Sequence, residues 1–201
     1  MSNYAEFHRR SIEDRDGFWR EQAALIDWQT PFTQVCDYSR PPFAKWFVGG
    51  RTNLCHNAVD RHAAARPDAN ALIFVSTETN QEVVYSFRQL QAEVERMAAT
   101  LLSLGVKKGD RVLVYMPMIP EAAFAMLACT RIGALHSVVF GGFASVSLAS
   151  RIDDAEPTVI VSADASAGLD RLPISMNTAG TLVRLTAAMS ERVCSPFCTP
   201  A

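Results

Sequence analysis

Between Arg111 and Ser162 the chain reads as strand, helix, strand, helix, strand with short links, and very few folds accept that order. Arg111–Tyr115 is an apolar run rich in β-branched residues. Pro117 and Pro120 follow it, and Pro120 suits the first turn of a helix reaching about Ile132, with Gly133 just past its end. Leu135–Val139 is the next strand. Phe140-Gly141-Gly142-Phe143 forms a loop, Ser145 caps a short helix to about Asp154, and Pro157 precedes a strand over Thr158–Ser162. Alternation of this kind specifies a parallel sheet with right-handed crossovers. The strands are nearly continuous apolar runs, as expected where both faces of a sheet are covered. The fold class is α/β.

Upstream, the signals change. Ser86 followed by Gln89 is a capping box. After it, Phe87, Leu90, Val94, Met97, Leu101 and Leu104 recur at steps of three and four, which is one helical face, and Gly105 stops it. Ala71–Ser76 and Glu82–Tyr85, separated by a polar turn, predict a hairpin. Asn53 caps a helix to about Ala65, ended before Pro67. The first zone predicts a helix over Tyr4–Ile26, broken near Gly17, and then an extended wrap from Trp28 to Gly50. Pro31, Pro41 and Pro42 forbid a helix in that wrap. Its aromatic residues Phe32, Phe43, Trp46 and Phe47 are expected to pack on a neighbouring body as a strap. Three segments result: 1–56, 57–165 and a tail, 166–201, without this grammar.

Composition narrows the function. The chain is 49% apolar with a net charge of −2, so it has neither the polarity of a disordered chain nor a basic field for nucleic acid. No apolar run approaches the ~20 residues that cross a bilayer, and MSNYAEFHRR lacks the apolar core of an export signal. With five cysteines and no export signal, the expectation is thiols in a reducing compartment, the cytoplasm.

Ligands of open parallel sheets lie beyond the carboxyl ends of the strands. The loops there are Met116–Pro120, Phe140–Ser145 and Ala163 onward. In the middle loop, adjacent glycines let the backbone approach a ligand closely, and Phe140 and Phe143 flank it. Spacing alone reads first as a tight strand-to-helix turn holding two core phenylalanines. His136, inside an apolar strand, reads as a core or hydrogen-bonded residue rather than a catalyst. Cys55, His56 and His62 lack metal-site spacing, and Cys194 and Cys198 have no matching second pair, so no metal site is expected. Asp153-Asp154 reads as a solvated helix end and Lys107-Lys108 as an exposed turn. Asn177–Thr181 imitates a phosphate-cradling loop but lacks the following Lys and a preceding strand.

Three phrases are more specific: PPFAKWFVGGRTNLCHNAVDRH (41–62), LGVKKGDRVLVYMPMIPEA (104–122) and TRIGALHSVVFGGFAS (130–145). Together they resemble the acyl-CoA synthetases of the acetyl/propionyl type, within the AMP-forming adenylating enzymes. FTQVCDYSRPPFAKWF (32–47) and NLCHNAVDRH (53–62) are nearer the propionate-activating branch. The resemblance covers Met1 to about Ala165. It implies the N-terminal part of a large α/β domain. It implies too that full-length relatives, several times this length, use ATP, magnesium and coenzyme A to make an acyl-adenylate and then a thioester, with propionate as substrate. By the same resemblance Phe140 and Gly142 lie against the coenzyme A nucleotide.

After Ala165 the text departs: Ser166 to Pro173 replaces a basic, glycine-containing stretch, and the tail holds no Lys and one aromatic, Phe197. The family's phosphate-holding loop with its Lys, its acidic magnesium ligand, its ribose-binding aspartate and its late catalytic lysine are absent. The expectation is a reading frame shifted near codon 166, or an error of the same effect, leaving an N-terminal fragment inactive alone. No catalytic residue and no metal ligand is assigned, no cofactor is expected for the chain by itself, and neither nucleic acid nor membrane is a partner. The alternatives are half of a split ligase, with the missing C-terminal portion as partner, and a non-catalytic nucleotide or coenzyme A binding module. A sheet ending at its third strand would leave an edge unpaired and favour aggregation.

Overall fold

The computed structural model describes residues 3–77, 79–140, 145–163 and 181–185. The chain divides into two compact units, Met1–Asn57 and Ala58–Ala201.

The first unit opens with two helices, α1 (Tyr4–Glu13) and α2 (Arg15–Ala23). The break expected near Gly17 falls at Asp14, three residues earlier. Asp14 leaves helical geometry and its carboxylate accepts the Gly17 N–H at 3.1 Å, capping α2. Gly17 is the cap's receptor: a Cβ there would collide with the Asp14 carboxylate. The predicted extended wrap is instead a paired hairpin. Strand β1 (Gln34–Arg40) runs antiparallel to β2 (Phe43–Val48), with Pro41-Pro42 forming the turn. Its aromatics pack on one another. Trp28, Phe32 and Phe47 have ring centroids 5.1–5.4 Å apart, and Trp19 meets Trp46 edge-on at 5.8 Å. Gly50 is required by this packing, because a Cβ would sit 2.7 Å from the Trp28 ring. Phe18, Val35 and Cys36 are buried.

The predicted helix after Asn53 is present, with the Asn53 side chain accepting the His56 N–H at 3.1 Å. It widens to a π-helical turn over His56–Asp60 before α3 (Arg61–Ala65). The second unit then follows the sequence closely. Strands β3 (Asn70–Ser76) and β4 (Gln81–Ser86) form the predicted hairpin. Helix α4 (Phe87–Ser103) starts on the predicted capping box and buries Phe87, Leu90, Val94, Met97 and Leu101.

The parallel layer comprises β5 (Arg111–Met116), α5 (Pro120–Ile132), β6 (Leu135–Phe140), α6 (Ser145–Ala155) and β7 (Val159–Ala163). Gly133, at φ +77°, lets the Ala134 N–H close α5 on the Cys129 carbonyl at 2.9 Å. A fourth strand, β8 (Thr181–Leu185), pairs parallel with β7. This corrects the expectation of three strands, and of none near residue 181. The spatial order is β6-β5-β7-β8. Strands β5 and β7 are buried, as continuous apolar runs require.

Strand β6 stands at the edge, so Leu135, His136 and Val138 are exposed despite its apolar sequence. The expectation that His136 is a core histidine is therefore corrected: its register partner Val112 is buried in the sheet centre, and His136 stands on the rim. Asp153, Asp154, Lys107 and Lys108 are exposed, as expected.

Candidate functional site

Register brings three strand ends to one rim of the sheet. Met116 of β5 pairs with Phe140 of β6, and Tyr115 pairs with Ser162 of β7. The connections leaving β5 and β6 diverge. Helix α6 puts Leu148 and Ile152 on the face formed by Leu113, Tyr115, Val139 and Ile160. Helix α5 packs on β5 and β6, and right-handed crossover puts it on the other face, over Val112, Val114 and Met116. Two crossovers leaving adjacent strands for opposite faces open a crevice between the carboxyl ends of β5 and β6.

Phe140 is the last residue of β6, so its backbone lies at this crevice. Gly142, with Gly141 and Phe143, falls outside the described residues. Two residues at the rim were not singled out from the sequence. Ser162 is the buried polar residue of β7, and its hydroxyl donates to the Ala163 carbonyl at 3.2 Å. Tyr115 is buried beside it on the face that α6 covers. Their signal was register, which a strand's own composition does not carry.

The charge at the rim is sparse. From Val114 to Ile119, Val138 to Phe140 and Val161 to Ala163 there is no Lys, Arg, His, Asp or Glu. Glu121 occupies the first turn of α5, so the positive end of that helix already faces a carboxylate. The cations stand at the opposite end of the layer. Arg111 opens β5 and donates to the Ala155 and Glu156 carbonyls at 2.6 and 3.0 Å. Arg131, in the last turn of α5, bonds Asp60 at 2.7 Å and Glu95 at 2.8 Å.

Potential nucleophiles are silenced by burial. Burial pushes the Cys129 thiol up to about 11, so it stays protonated and unreactive near neutrality. Tyr85 is held protonated first by burial and then by the Glu121 and Glu93 carboxylates. Among the described residues no three His, Cys, Asp or Glu side chains gather as metal ligands. His56 instead faces Asp27 at 3.3 Å, near Asn57, while His62 lies against the Phe87 ring at 5.1 Å. Cys55 is buried, and Cys194 and Cys198 lie outside the described residues. The described rim of β5, β6 and β7 carries the Glu121 carboxylate and no cation, which does not fit a magnesium–triphosphate group, and no step is derived through one. No described helix is long and apolar enough to cross a membrane.

Comparison with known proteins agrees with this architecture. The family model for the acetyl-coenzyme A synthetase N-terminus matches residues 4–58, and that for AMP-binding enzymes matches residues 59–193. Propionate–CoA ligases of Salmonella typhimurium and Escherichia coli are each 64% identical over 165 residues, 82% of this chain and 26% of theirs. An acetyl-coenzyme A synthetase of Methylorubrum extorquens is 44% identical over 196 residues, 96% of this chain and 30% of its own length. The solved acetoacetyl-CoA synthetase from Streptomyces lividans superposes with a TM-score of 0.75 at 34% identity, covering 82% of this chain and 25% of that one. The chain thus spans about a quarter of the length of the relatives it matches. High identity across most of this chain, over the same parallel layer that builds the rim, makes it a member of the AMP-binding enzyme family.

Proposed function

We propose that the chain is the N-terminal scaffold of a propionate-activating acyl-CoA synthetase, acting in the cytoplasm, and that alone it does not turn over. In this reading a full-length relative joins propionate to coenzyme A at the cost of ATP, through a propionyl-adenylate. The observation that carries it is the lack of any Lys, Arg or His among the described rim residues of β5, β6 and β7. Adenylation builds negative charge at the α-phosphate, and fixed cations there contribute several kcal/mol to the barrier. Neither Phe140 nor Gly142 carries a charge. An ATP–pyrophosphate exchange assay with propionate should give no more signal than a blank without protein. Exchange above the blank overturns the proposal.

A second reading is favoured by the position of Phe140 at the crevice. Phe140 and Gly142 would then hold the coenzyme A nucleotide without catalysis. Calorimetric titration with coenzyme A, compared with Gly142→Val, tests this reading: heat that vanishes in the variant supports it, and no heat in either protein rejects it.

The stretch from residue 166 belongs to the same proposal, as a departure from the propionate ligases, whose match spans 165 residues, although the AMP-binding family model runs on to residue 193. The nucleotide sequence past codon 165 tests it. Another frame encoding a basic, glycine-containing loop supports the shift, and its absence refutes it.

A further inference from the structure

We infer that Arg111 is a positioning residue for the crevice: from the start of β5 it sets the register of β7, and with it the pairing of Tyr115 with Ser162 at the rim. This holds whether or not the chain turns over. The strands themselves do not choose that register. Val112 and Val114 pair with Val159 and Val161, so sliding β7 by two residues sets valine against valine again. On the face that α6 covers, the same slide sets Tyr115 against Ile160, two members of one apolar cluster. Faces survive the slide, because the side-chain period of a strand is two. The rim does not survive it. Two residues are ~7 Å of strand, and the slide carries Ser162 beyond Met116, the last residue of β5.

The corner before β7 is disfavoured by its own sequence. Helix α6 ends in Asp153-Asp154-Ala155 with no basic residue in its last turn, so two carboxylates stand at the negative end of the helix. Arg151, just before that turn, donates to Ser147 Oγ at 3.1 Å. Glu156 then takes φ +43°, left-handed for a residue with a Cβ, although Pro157 behind it favours extended backbone there. Arg111 supplies what the corner lacks. Its Nε donates to the Ala155 carbonyl at 2.6 Å and its Nη2 to the Glu156 carbonyl at 3.0 Å. A cation from another element thus sits on the carbonyls that close the helix. The Arg111 carbonyl also accepts the Thr158 N–H at 2.8 Å, one residue before Val112 pairs with Val159. A planar fork on two successive carbonyls ties β5 to this one corner and leaves no room for a ~7 Å slide.

The test takes the full isotope-labelled chain and reads two things: interstrand NOEs between the backbones of Tyr115 and Ser162, and hydrogen exchange of the Thr158 amide. Neither involves the Arg111 side chain, so loss of its two bonds moves them only by moving β7. Arg111→Met should at least halve the NOEs and speed Thr158 exchange at least tenfold. The α4 amides of Val94 and Leu101 should stay within twofold. Glu156→Gly added to Arg111→Met should recover at least half of the NOE loss, since glycine takes a left-handed φ without strain. If Arg111→Met does not fold, Arg111→Lys carries the same readout: the ammonium keeps the charge but not the fork, and Thr158 exchange should rise at least threefold. Unchanged NOEs and exchange overturn the inference. So does acceleration shared equally by α4, which is general loosening, and so does the absence of recovery with Glu156→Gly.

Discussion

Arg131 offers the sharpest test of how the second unit is held together. Its guanidinium joins three helical segments, bonding Asp60 of the π-helical turn at 2.7 Å and Glu95 of α4 at 2.8 Å from the end of α5. Gln91 adds a bond to the same Asp60 oxygen at 3.3 Å. The two arms differ in exposure. The side chains of Arg131 and Asp60 are 25% and 24% exposed, whereas Glu95 is 51% exposed. At an effective dielectric near 20, unit charges ~4 Å apart attract by about 4 kcal/mol. Desolvation offsets part of that for the shielded pair. Breaking it also takes the cation from a half-buried Asp60, which keeps the Gln91 amide, so Arg131→Met should cost about 2–3 kcal/mol, between exposed and fully buried pairs. At about 2–4 °C per kcal/mol this lowers Tm by roughly 5–10 °C. Glu95→Gln should cost only about 0.2–1 kcal/mol. Urea unfolding of the single and double variants closes the cycle. Coupling of Arg131→Met with Asp60→Asn should reach about 1–2 kcal/mol, and with Glu95→Gln stay below about 0.5 kcal/mol. Equal coupling in the two arms, or an Arg131→Met shift below about 1 °C, refutes the argument that shielding sets the strength.

Other consequences are simpler to check. Ser86→Ala removes the side chain that accepts the Gln89 N–H at 3.3 Å, and urea titration should register a loss of about 1 kcal/mol. Cys129 titrates near 11 when folded, against 9.0 for an ordinary thiol, so between those values the folded state keeps a proton the unfolded chain has lost. Stability should therefore fall as pH rises through that window, and Cys129→Ala should flatten the fall; an unchanged slope in the urea midpoint refutes it. Tyr85, also raised, adds the same sign above pH 10. Leu135→Lys with Val138→Lys, on the exposed edge strand β6, should lower light scattering on warming, and equal scattering would clear that edge as the source of aggregation.

Where a segment's order follows from its own residues, the sequence was sufficient. The α4 face, its Ser86–Gln89 cap, the Gly133 stop and the β5–α5–β6–α6–β7 order all rest on local periodicity or capping chemistry. The β1–β2 hairpin was not legible, because its aromatics occupy both faces and Tyr38, Phe43 and Trp46 are exposed, which erases alternation. The break at Asp14 was hidden because a cap and its receptor glycine lie three residues apart and the glycine is the louder signal. Nothing in Leu135–Phe140 says that it is an edge strand; that property belongs to strand order, and with it the exposure of His136. Of the candidate crevice, its place at the carboxyl ends of β5 and β6 was legible from the strand–helix order. Tyr115 and Ser162 were not, since only register brings them to the same rim.

The position of β5 bears on how the chain is made. It is the earliest strand of its sheet to leave the ribosome, yet it ends in the middle, between β6 and β7. Its first neighbour needs synthesis to reach residue 140, and its second to reach residue 163. Across that interval one flank of the nascent strand must be shielded by something other than its final mate. Translation speed and chaperone supply over those codons then govern the yield of folded product.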